Sequence, residues 1–247
     1  MAGGSLPSAA GVEVWFIDLR SRDHLTPKRF EWLDDDEIDR YNRLLKRDDA
    51  RRFATAHVCL RAILASYLLA HPRTLCFEKT KWGRPLLRKG PNFSLSHSGD
   101  GALVAVSDAA LVGIDLERRS GVPLEISPED ICSTAELKRL PSAMHLDSDF
   151  LLRLWVRKEA AAKALGFGLH QPLSDIAIPI GAEWRRAHLR IALRTAGRAL
   201  VWNLSDLDVG AGFMASLVTD CPMGREVPKV RPFSVAHMAF ADRLDAF

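Results

Sequence analysis

The sequence predicts an α+β fold built from two similar halves that meet near residue 110, each a small antiparallel sheet packed with helices. Hydrophobic residues make up 47% of the 247 residues, which is enough to bury a substantial core. Short β-branched segments bounded by turn residues recur in both halves, and each half contains a long helical pattern. No Gly-rich phosphate loop joins a strand to a helix, which argues against a doubly wound parallel sheet.

The first half is assigned to residues 12–110. Residues 12–19 are β-branched and aromatic and predict a strand. A helical pattern covers residues 34–69, with an expected break near Asp48 and an end before Pro72. Further strands are predicted at residues 74–80, 93–96 and 102–107.

The second half is assigned to residues 111–220. A proline at the first helical position starts a predicted helix over residues 128–140. Ser148 or Asp149 can cap a second helix over residues 150–165, and the glycine that follows ends it. Strands are predicted at residues 111–117, 174–179, 188–193, 199–204 and 213–218.

Outside the two halves, residues 1–11 are expected to fray and residues 221–247 to form a C-terminal extension. The extension is rich in proline as far as residue 233 and then predicts a terminal helix over residues 235–247.

Composition argues against a nucleic-acid-binding, membrane-associated or secreted protein. The formal net charge of +3 is too small to indicate a nucleic-acid partner. The longest apolar runs, such as residues 102–106, are too short to span a bilayer, so no membrane association is expected. The four cysteines form no CxxC pair and the N-terminus lacks a signal-peptide pattern, which favours a reduced, cytoplasmic protein. Two halves in one chain favour a monomer.

Residues 113–117, GIDLE, place two acids two positions apart in a predicted strand. Alternate strand residues share a face, so Asp115 and Glu117 project together. Ile114 and Leu116 then face the core. Neighbouring carboxylates repel unless a cation lies between them, and such hard oxygen ligands suit Mg²⁺. The alternative is an exposed acidic strand edge.

Residues 155–168, WVRKEAAAKALGFG, predict a helix that carries a second charged pair. Glu159 and Lys163 are four positions apart and share a helix face, with Trp155 one turn earlier on that side. They either point together at a charged ligand or form an ordinary solvated pair. Lys158 is expected to face solvent in the second case.

Residues 93–99, FSLSHSG, predict a strand end rich in hydroxyl groups. Ser96, His97 and free backbone N–H groups at such an end can hold phosphate oxygens. The alternative is a polar loop with a structural histidine. A hydrolase serine–histidine pair is disfavoured because adjacent residues rarely face each other and no GxSxG elbow is present.

Together the motifs SHSG (96–99), GIDLE (113–117) and WVRKEAAAKALG (155–166) resemble those of the 4′-phosphopantetheinyl transferases of the Sfp type. Their order and approximate spacing match that family, and the resemblance extends from residue 40 to about residue 173.

This resemblance implies transfer of the 4′-phosphopantetheine group from coenzyme A to a serine hydroxyl of an apo acyl or peptidyl carrier protein, with release of adenosine 3′,5′-bisphosphate. It also implies that the two halves are related by a pseudo-twofold axis, with coenzyme A in the cleft between them. Carrier proteins of this kind are acidic helical domains. We expect docking on residues 128–140, where Lys138 and Arg139 supply positive charge.

The resemblance further implies a metal site. Asp115, Glu117 and Glu159 match the family's metal positions, with Mg²⁺ the implied ion and Mn²⁺ a substitute. Lys163 is placed to hold the pyrophosphate of coenzyme A, with Lys158 as a weaker helper. The acceptor of the serine proton is Glu117, Glu136 or a metal-bound water, and the residues leave these open.

The implied nucleotide contacts come mainly from the first half. Ser96 and His97 contact the nucleotide phosphates, and residues 81–85 lie near the adenine, where Gly83 permits close backbone approach and Arg84 adds phosphate affinity. Arginines of the helical segment grip the 3′-phosphate. The residues concerned are Arg40, Arg51, Arg52, Lys81, Gly83, Arg84, Pro85, Ser96 and His97. Of the three helical arginines, Arg40 and Arg52 match best. Glu37 stands where some family members have a basic residue, so these two are expected to provide most of the grip.

Two other functions are compatible with the same residues. A metal-dependent nucleotide phosphohydrolase would use the three carboxylates with water as the nucleophile, although its familiar REx₂E-type helix is missing. A non-catalytic module that binds coenzyme A or a carrier protein would not need four matched charges.

Overall fold

A computed structural model describes residues 11–119, 127–140, 147–167, 172–180, 184, 186–195, 198–220 and 228–244. It confirms the predicted mixed α+β class. The strands are β1 (Glu13–Asp18), β2 (Phe77–Lys79), β3 (Pro85–Leu87), β4 (Asn92–Ser98), β5 (Gly101–Ser107), β6 (Val112–Arg118), β7 (His188–Thr195), β8 (Arg198–Leu207), β9 (Phe213–Thr219) and β10 (Val230–Pro232). The helices are α1 (Pro27–Phe30), α2 (Asp35–Arg43), α3 (Arg47–Leu68), α4 (Pro128–Ile131), α5 (Thr134–Leu137), α6 (Ser148–Leu165) and α7 (Val235–Arg243).

The first sheet has the strand order β10-β1-β5-β4. All seven residues of β5 are buried, as expected for the run GALVAVS, which has only a terminal serine as a polar side chain. The long helix α3 packs on this sheet and contributes the largest share of its core, from Ala54 to Ala65. The small ladder β2-β3 forms a separate two-stranded sheet.

The second sheet has the strand order β6-β9-β8-β7, and each neighbouring pair is antiparallel. Helix α6 lies across β6 and β9. Gly113 permits this close packing, because a Cβ atom at that position would lie 2.1 Å from the Ala160 carbonyl oxygen and 2.2 Å from the Ala164 nitrogen. The glycine of the GIDLE motif therefore has a packing role.

Strands β4 and β6 bring the two sheets together. Apolar side chains from both sheets form a shared core, including Val14 and Leu103 from the first sheet and Ile114 and Leu217 from the second. The functional motifs on β4 and β6 therefore lie next to each other at the junction of the sheets.

The C-terminal segment returns to the first sheet. Strand β10 pairs in parallel with β1, and α7 packs on α3. Asp242 of α7 also pairs with Arg29 through two hydrogen bonds. The helix predicted over residues 235–247 is observed as far as Arg243, and residues 245–247 lie outside the described part.

Several predicted boundaries were wrong, and local capping explains some of the differences. The pattern over residues 34–69 is two helices that separate at residues 44–46, before the predicted break. The helix predicted over residues 128–140 is divided because Ser133 caps α5 with a reciprocal Ser133–Glu136 capping box.

Three further segments differ from prediction. The strand predicted from residue 74 begins at Phe77, since a 3₁₀ turn occupies Pro72–Thr74. The strand predicted over residues 174–179 overlaps a 3₁₀ turn, Leu173–Asp175, and the described residues that follow it are in no strand. Strand β3 was not predicted. No helix among the described residues has both the length and the apolar character needed to cross a bilayer.

Candidate active site

The two acids of the GIDLE motif project from β6 on the face opposite its apolar residues. Ile114 and Leu116 are fully buried in the core, as strand alternation predicts. Asp115 is also buried, with only 3% of its surface exposed, and Glu117 is half-buried. The alternative of an exposed acidic edge is therefore wrong for Asp115.

Helix α6 brings its charged pair to these acids. The Lys163 ammonium group donates to Asp115 Oδ1 at 2.6 Å and to Ser96 Oγ at 2.9 Å. Glu159, one turn earlier, is 7% exposed. Since both side chains turn towards β6 and β4, the alternative of a solvated Glu159–Lys163 pair is wrong.

These residues enclose a cavity of about 280 Å³. Its polar lining is Ser96, His97, Asp115, Glu117, Glu159 and Lys163. Trp155 also lines it, from one helical turn before Glu159. The structure thus brings residues of all three motifs into a single site, although they lie up to 67 positions apart in sequence.

Inside this cavity, burial and mutual repulsion disfavour the charged form of two carboxylates, Glu159 and Glu117. Burial, followed by repulsion from Asp115 and Glu117, raises the pKa of Glu159 to about 7. Burial also raises the pKa of Glu117, and the nearby Asp115 adds to the rise while a hydrogen bond from Ser98 opposes it. Two buried oxygens, Asp115 Oδ2 and Glu159 Oε1, have no hydrogen-bond partner.

These features fit a cation, although the side chains are not arranged as a formed metal site. Among the residues described, no three His, Cys, Asp or Glu side chains converge closely enough to hold an ion. The donor set nevertheless suits a hard divalent cation, because it supplies carboxylate oxygens without partners and a charge repulsion that an added positive charge would relieve.

A wider groove leads from the cavity towards α2. Gly83 and Lys163 line a cavity of about 190 Å³, and Gly83 and Arg40 line a neighbouring cavity of about 680 Å³. Gly83 has φ +79°, a conformation that favours glycine. Pro85 lies beside it in the smaller cavity.

The predicted phosphate-binding arginines are partly engaged with protein groups. Arg52 pairs with Asp100 at 2.8 Å and with Asp49 at 3.2 Å. The guanidinium of Arg40 lies 5.2 Å from the centre of the Phe53 ring. Arg51 donates to the Leu19 carbonyl oxygen and is turned to the protein rather than the groove. Lys81 lies over the ring of Trp82 at 4.8 Å.

Arg84 was predicted to add phosphate affinity, but its side chain contacts backbone. Its two terminal nitrogens donate to the carbonyl oxygens of Ala164 at 3.0 Å and Val112 at 3.1 Å. It therefore ties the loop before β3 to α6 and β6. Burial lowers the pKa of Arg84, consistent with an enclosed guanidinium.

The geometry contradicts the predicted roles of Glu136 and Lys158. Lys158 is fully buried and donates to Glu136 Oε2 at 2.7 Å and to the Leu173 and Ile176 carbonyl oxygens at 3.1 and 2.6 Å. Glu136 is 4% exposed and accepts from the Ile178 N–H. Because neither side chain lines the cavity, Glu136 cannot accept a substrate proton there and Lys158 cannot hold a phosphate.

Glu37 has a structural role as well. Its carboxylate contacts His57 Nδ1 at 2.7 Å and accepts from Arg61 Nε at 2.7 Å and from the Asp34 N–H at 3.0 Å. It belongs to the capping box of α2. Its identity therefore does not bear on how the 3′-phosphate is held.

Sequence analysis assigned no function to Ser98. Its hydroxyl donates to Glu117 Oε2 at 2.6 Å. The available signal was the alternation of serines at residues 94, 96 and 98, which places all three on one face of a strand.

Comparison with known proteins identifies the family. The family model described as the 4′-phosphopantetheinyl transferase superfamily matches residues 111–212. The chain is 33% identical over 178 residues to "4′-phosphopantetheinyl transferase HetI" of Nostoc sp., covering 68% of this chain and 74% of that protein.

Two other relatives match at lower identity, one over a shorter part of this chain and one over a longer part. "4′-phosphopantetheinyl transferase Sfp" of Bacillus subtilis is 27% identical over 138 residues, 55% of this chain and 61% of that protein. The human "L-aminoadipate-semialdehyde dehydrogenase-phosphopantetheinyl transferase" is 26% identical over 212 residues, 74% of this chain and 67% of that protein. From these similarities and the convergence of its three motifs, we conclude that the chain belongs to the 4′-phosphopantetheinyl transferase superfamily.

Proposed function

We propose that this chain is an enzyme that transfers 4′-phosphopantetheine from coenzyme A to a serine hydroxyl of an apo acyl or peptidyl carrier protein. The main observation behind the proposal is that one cavity beside Ser96 is lined by Asp115, Glu159 and Lys163. These three residues come from two motifs shared with the family. The serine oxygen attacks the phosphorus that bears the pantetheine arm, and the bond to the leaving adenosine 3′,5′-bisphosphate breaks.

Asp115, Glu117 and Glu159 are the residues that would hold a divalent cation, with Mg²⁺ the proposed ion and Mn²⁺ a substitute. The unpartnered oxygens Asp115 Oδ2 and Glu159 Oε1 support this assignment. When bound, such a cation would neutralise negative charge on the pyrophosphate in the transition state.

The cationic side chains of the groove would orient coenzyme A. Lys163 reaches Asp115 and lies at the boundary between two cavities, where its ammonium group can also contact the pyrophosphate. Arg40 lines the larger cavity and would face the 3′-phosphate, with Arg52 nearby on α3. His97, exposed at the cavity, would donate to a phosphate oxygen.

Glu117 is the proposed acceptor of the serine proton. Glu136 is excluded by its burial against Lys158, which leaves Glu117 as the one carboxylate of the two candidates that lines the cavity. Its place in the cavity, beside the other proposed cation ligands, supports this role.

The ligand cleft, the pseudo-twofold relation and the division into halves at residues 12–110 and 111–220 are part of the proposal. The groove passes between elements of both halves, from Arg40 on α2 to Glu159 on α6, which supports the placement of coenzyme A there. The cytoplasmic location and the monomeric state remain predictions.

The test is intact-mass measurement of an apo acyl carrier protein after incubation with the chain, coenzyme A and Mg²⁺. We expect a gain of one phosphopantetheine and an equal amount of adenosine 3′,5′-bisphosphate. Release of the bisphosphate without carrier protein would instead identify a phosphohydrolase. Binding of coenzyme A with neither product would identify a non-catalytic module.

The carrier-docking surface is proposed on residues 128–140, where the side chains of Lys138 and Arg139 are exposed. The double change Lys138→Glu and Arg139→Glu should raise the KM for an acidic carrier protein while leaving the KM for coenzyme A unchanged. An unchanged KM for the carrier would remove this surface from the proposal.

A further inference from the structure

Strands β4 and β6 are edges of two different sheets, and serine side chains join them. Three N–H groups on the free edge of β6 donate to hydroxyl oxygens of β4. The pairs are Ile114 to Ser94 at 3.1 Å, Leu116 to Ser96 at 3.2 Å and Arg118 to Ser98 at 3.1 Å. Because an unpaired edge N–H is costly when buried, the two buried bonds, to Ser94 and Ser96, contribute most to the junction of the sheets, while the bond to Ser98 is exposed.

The three serines differ in where they donate their single hydroxyl hydrogen. Ser96 donates to Asp115 Oδ1 at 2.8 Å, and Ser98 donates to Glu117 Oε2 at 2.6 Å. Ser94 accepts from Ile114 but donates to neither acid among the contacts described. The same strand therefore contains one serine that only joins the sheets and two that also hold a carboxylate.

We propose that Ser98 is a positioning residue that fixes the orientation of the Glu117 carboxylate. The hydroxyl is itself held by the Arg118 N–H, so its hydrogen is directed at Glu117 Oε2 rather than free to rotate. With that oxygen engaged, the carboxylate is kept from turning away from the cavity. The inference rests on the proposed function, since it concerns the use of Glu117 towards a cation.

Glu117 depends on its serine for a fixed orientation more than Asp115 does. Glu117 is a long side chain at an intermediate level of burial, near the end of β6, and it has more rotational freedom than the buried Asp115. Asp115 is already held by Lys163 as well as Ser96. Glu117 has Trp155 as its other side-chain donor, a neutral group, whereas Lys163 gives Asp115 a stronger, charge-assisted bond. Loss of its serine should therefore affect Glu117 more than Asp115.

The experiment measures Mn²⁺ affinity in the presence of coenzyme A and without carrier protein, by electron paramagnetic resonance of free Mn²⁺. Ser98→Ala removes both the edge acceptor and the carboxylate donor, whereas Ser94→Ala removes only an edge acceptor. We expect Ser98→Ala to weaken Mn²⁺ binding about tenfold and Ser94→Ala less than about twofold. Ser98→Thr, which keeps the hydroxyl, should bind Mn²⁺ as the unmodified chain does.

Two further measurements separate positioning from folding. The free energy of unfolding should fall no more in Ser98→Ala than in Ser94→Ala, because the bond from Ile114 to Ser94 is buried and the bond from Arg118 to Ser98 is exposed. In a Glu117→Gln background, Ser98→Ala should cause no further loss of Mn²⁺ affinity. If Ser98→Ala does not fold, Ser98→Cys takes its place, since it retains the size with a weaker donor.

Equal Mn²⁺ affinity in the Ser94→Ala and Ser98→Ala variants would overturn the inference, as would an undiminished effect of Ser98→Ala in the Glu117→Gln background. Either result would leave phosphopantetheine transfer by the unmodified chain intact. Failure of the unmodified chain to modify a carrier protein would instead sink the proposed function, and the Mn²⁺ titration would still report on Ser98.

Discussion

The regions around α3 and α6 each contain one buried cationic side chain, Arg61 and Lys158. In each region this side chain connects the long helix to the short segments before and after it. In the α3 network, Arg61 donates to Glu37 Oε2 at 2.7 Å and to the carbonyl oxygens of Pro72 and Leu75 at 3.2 and 3.0 Å. Glu37 occupies the third position of a capping box on α2. Pro72 and Leu75 are the first residue and the C-cap of the 3₁₀ turn after α3.

The α6 network has the same parts. Lys158 donates to Glu136, the third residue of the capping box on α5, and to the Leu173 and Ile176 carbonyl oxygens, which are the first residue and the C-cap of the next 3₁₀ turn. A carboxylate and two turn carbonyls thus contact each buried cation, and Arg61 donates in addition to Asp34 Oδ2. This correspondence supports the proposed pseudo-twofold relation of the two halves.

The two regions differ at the neighbouring positions. One residue after the cation, α3 has Ala62 where α6 has Glu159, and five residues after it, α3 has Ser66 where α6 has Lys163. Ser66 bonds only to its own helix, through the Ile63 carbonyl oxygen at 2.6 Å. The shared network therefore supports folding in both regions, whereas of these two helices it is α6 that supplies charged groups to the cavity.

The largest expected effect tests whether the α3 and α6 networks are both structural. Lys158→Met and Arg61→Met should each lower the free energy of unfolding by about 3–5 kcal/mol, because each leaves a buried carboxylate without its cation. Urea unfolding measures this, with Lys89→Met on the exposed surface as a control expected within about 0.5 kcal/mol of the original chain. A stable Lys158→Met protein would show that the two networks are not equivalent.

The next effect tests whether the chemistry resides on α6. Glu159→Gln should lower kcat/KM for carrier modification by about 10²–10³-fold, since it removes one of the charges that act on the transition state. On α3 the position that matches Glu159 is already Ala62, so the control is Ser66→Ala, at the position that matches Lys163, which should alter kcat/KM less than about threefold. Comparable losses in both variants would contradict the division of roles.

A third prediction concerns the packing that brings α6 to β6. Gly113→Ala should lower the free energy of unfolding by about 3 kcal/mol, because the new methyl group would overlap backbone atoms of Ala160 and Ala164. Gly212 provides the matched variant Gly212→Ala, because a methyl group added there would meet no heavy atom within 4 Å. Thermal unfolding of the two proteins in parallel measures the difference, and equal stabilities would show that α6 can shift without penalty.

The smallest effect is the pH dependence that Glu159 contributes on the α6 side. In metal-free protein, the pKa of Glu159 near 7 lies above its ordinary value of 4.5, so between these values the folded chain binds a proton that the unfolded chain has released. Glu159 should therefore lower the free energy of unfolding by about 1–2 kcal/mol as pH rises from 5 to 7, against an opposite contribution from His97, whose pKa burial lowers to about 4.

Urea unfolding in EDTA at the two pH values measures this change, and the Glu159→Gln variant should lose that part of it. An identical pH dependence in the variant would assign the titration to another group. Added Mg²⁺ should reduce the dependence in the unmodified chain if the carboxylates hold the ion as proposed.

The motifs and their element types could be predicted from the sequence alone. Alternation along residues 113–117 correctly separates the core-facing Ile114 and Leu116 from the two acids, and helical spacing correctly places Glu159 and Lys163 on one face. The family followed from the same motifs and is confirmed by the relatives. These features are local, because the period of a strand or helix determines which side chains share a face.

Tertiary structure alone decided which partner each charge meets. Lys158 and Lys163 are five positions apart on one helix, yet the first turns to Glu136 in a buried structural pair and the second to Asp115 in the cavity. Arg84 likewise contacts carbonyl oxygens of segments 28 and 80 positions away. Sequence periodicity carries no information about such distant neighbours, because they are set by how the sheets and helices pack, and that packing determines whether a charge stabilises the fold or faces a substrate.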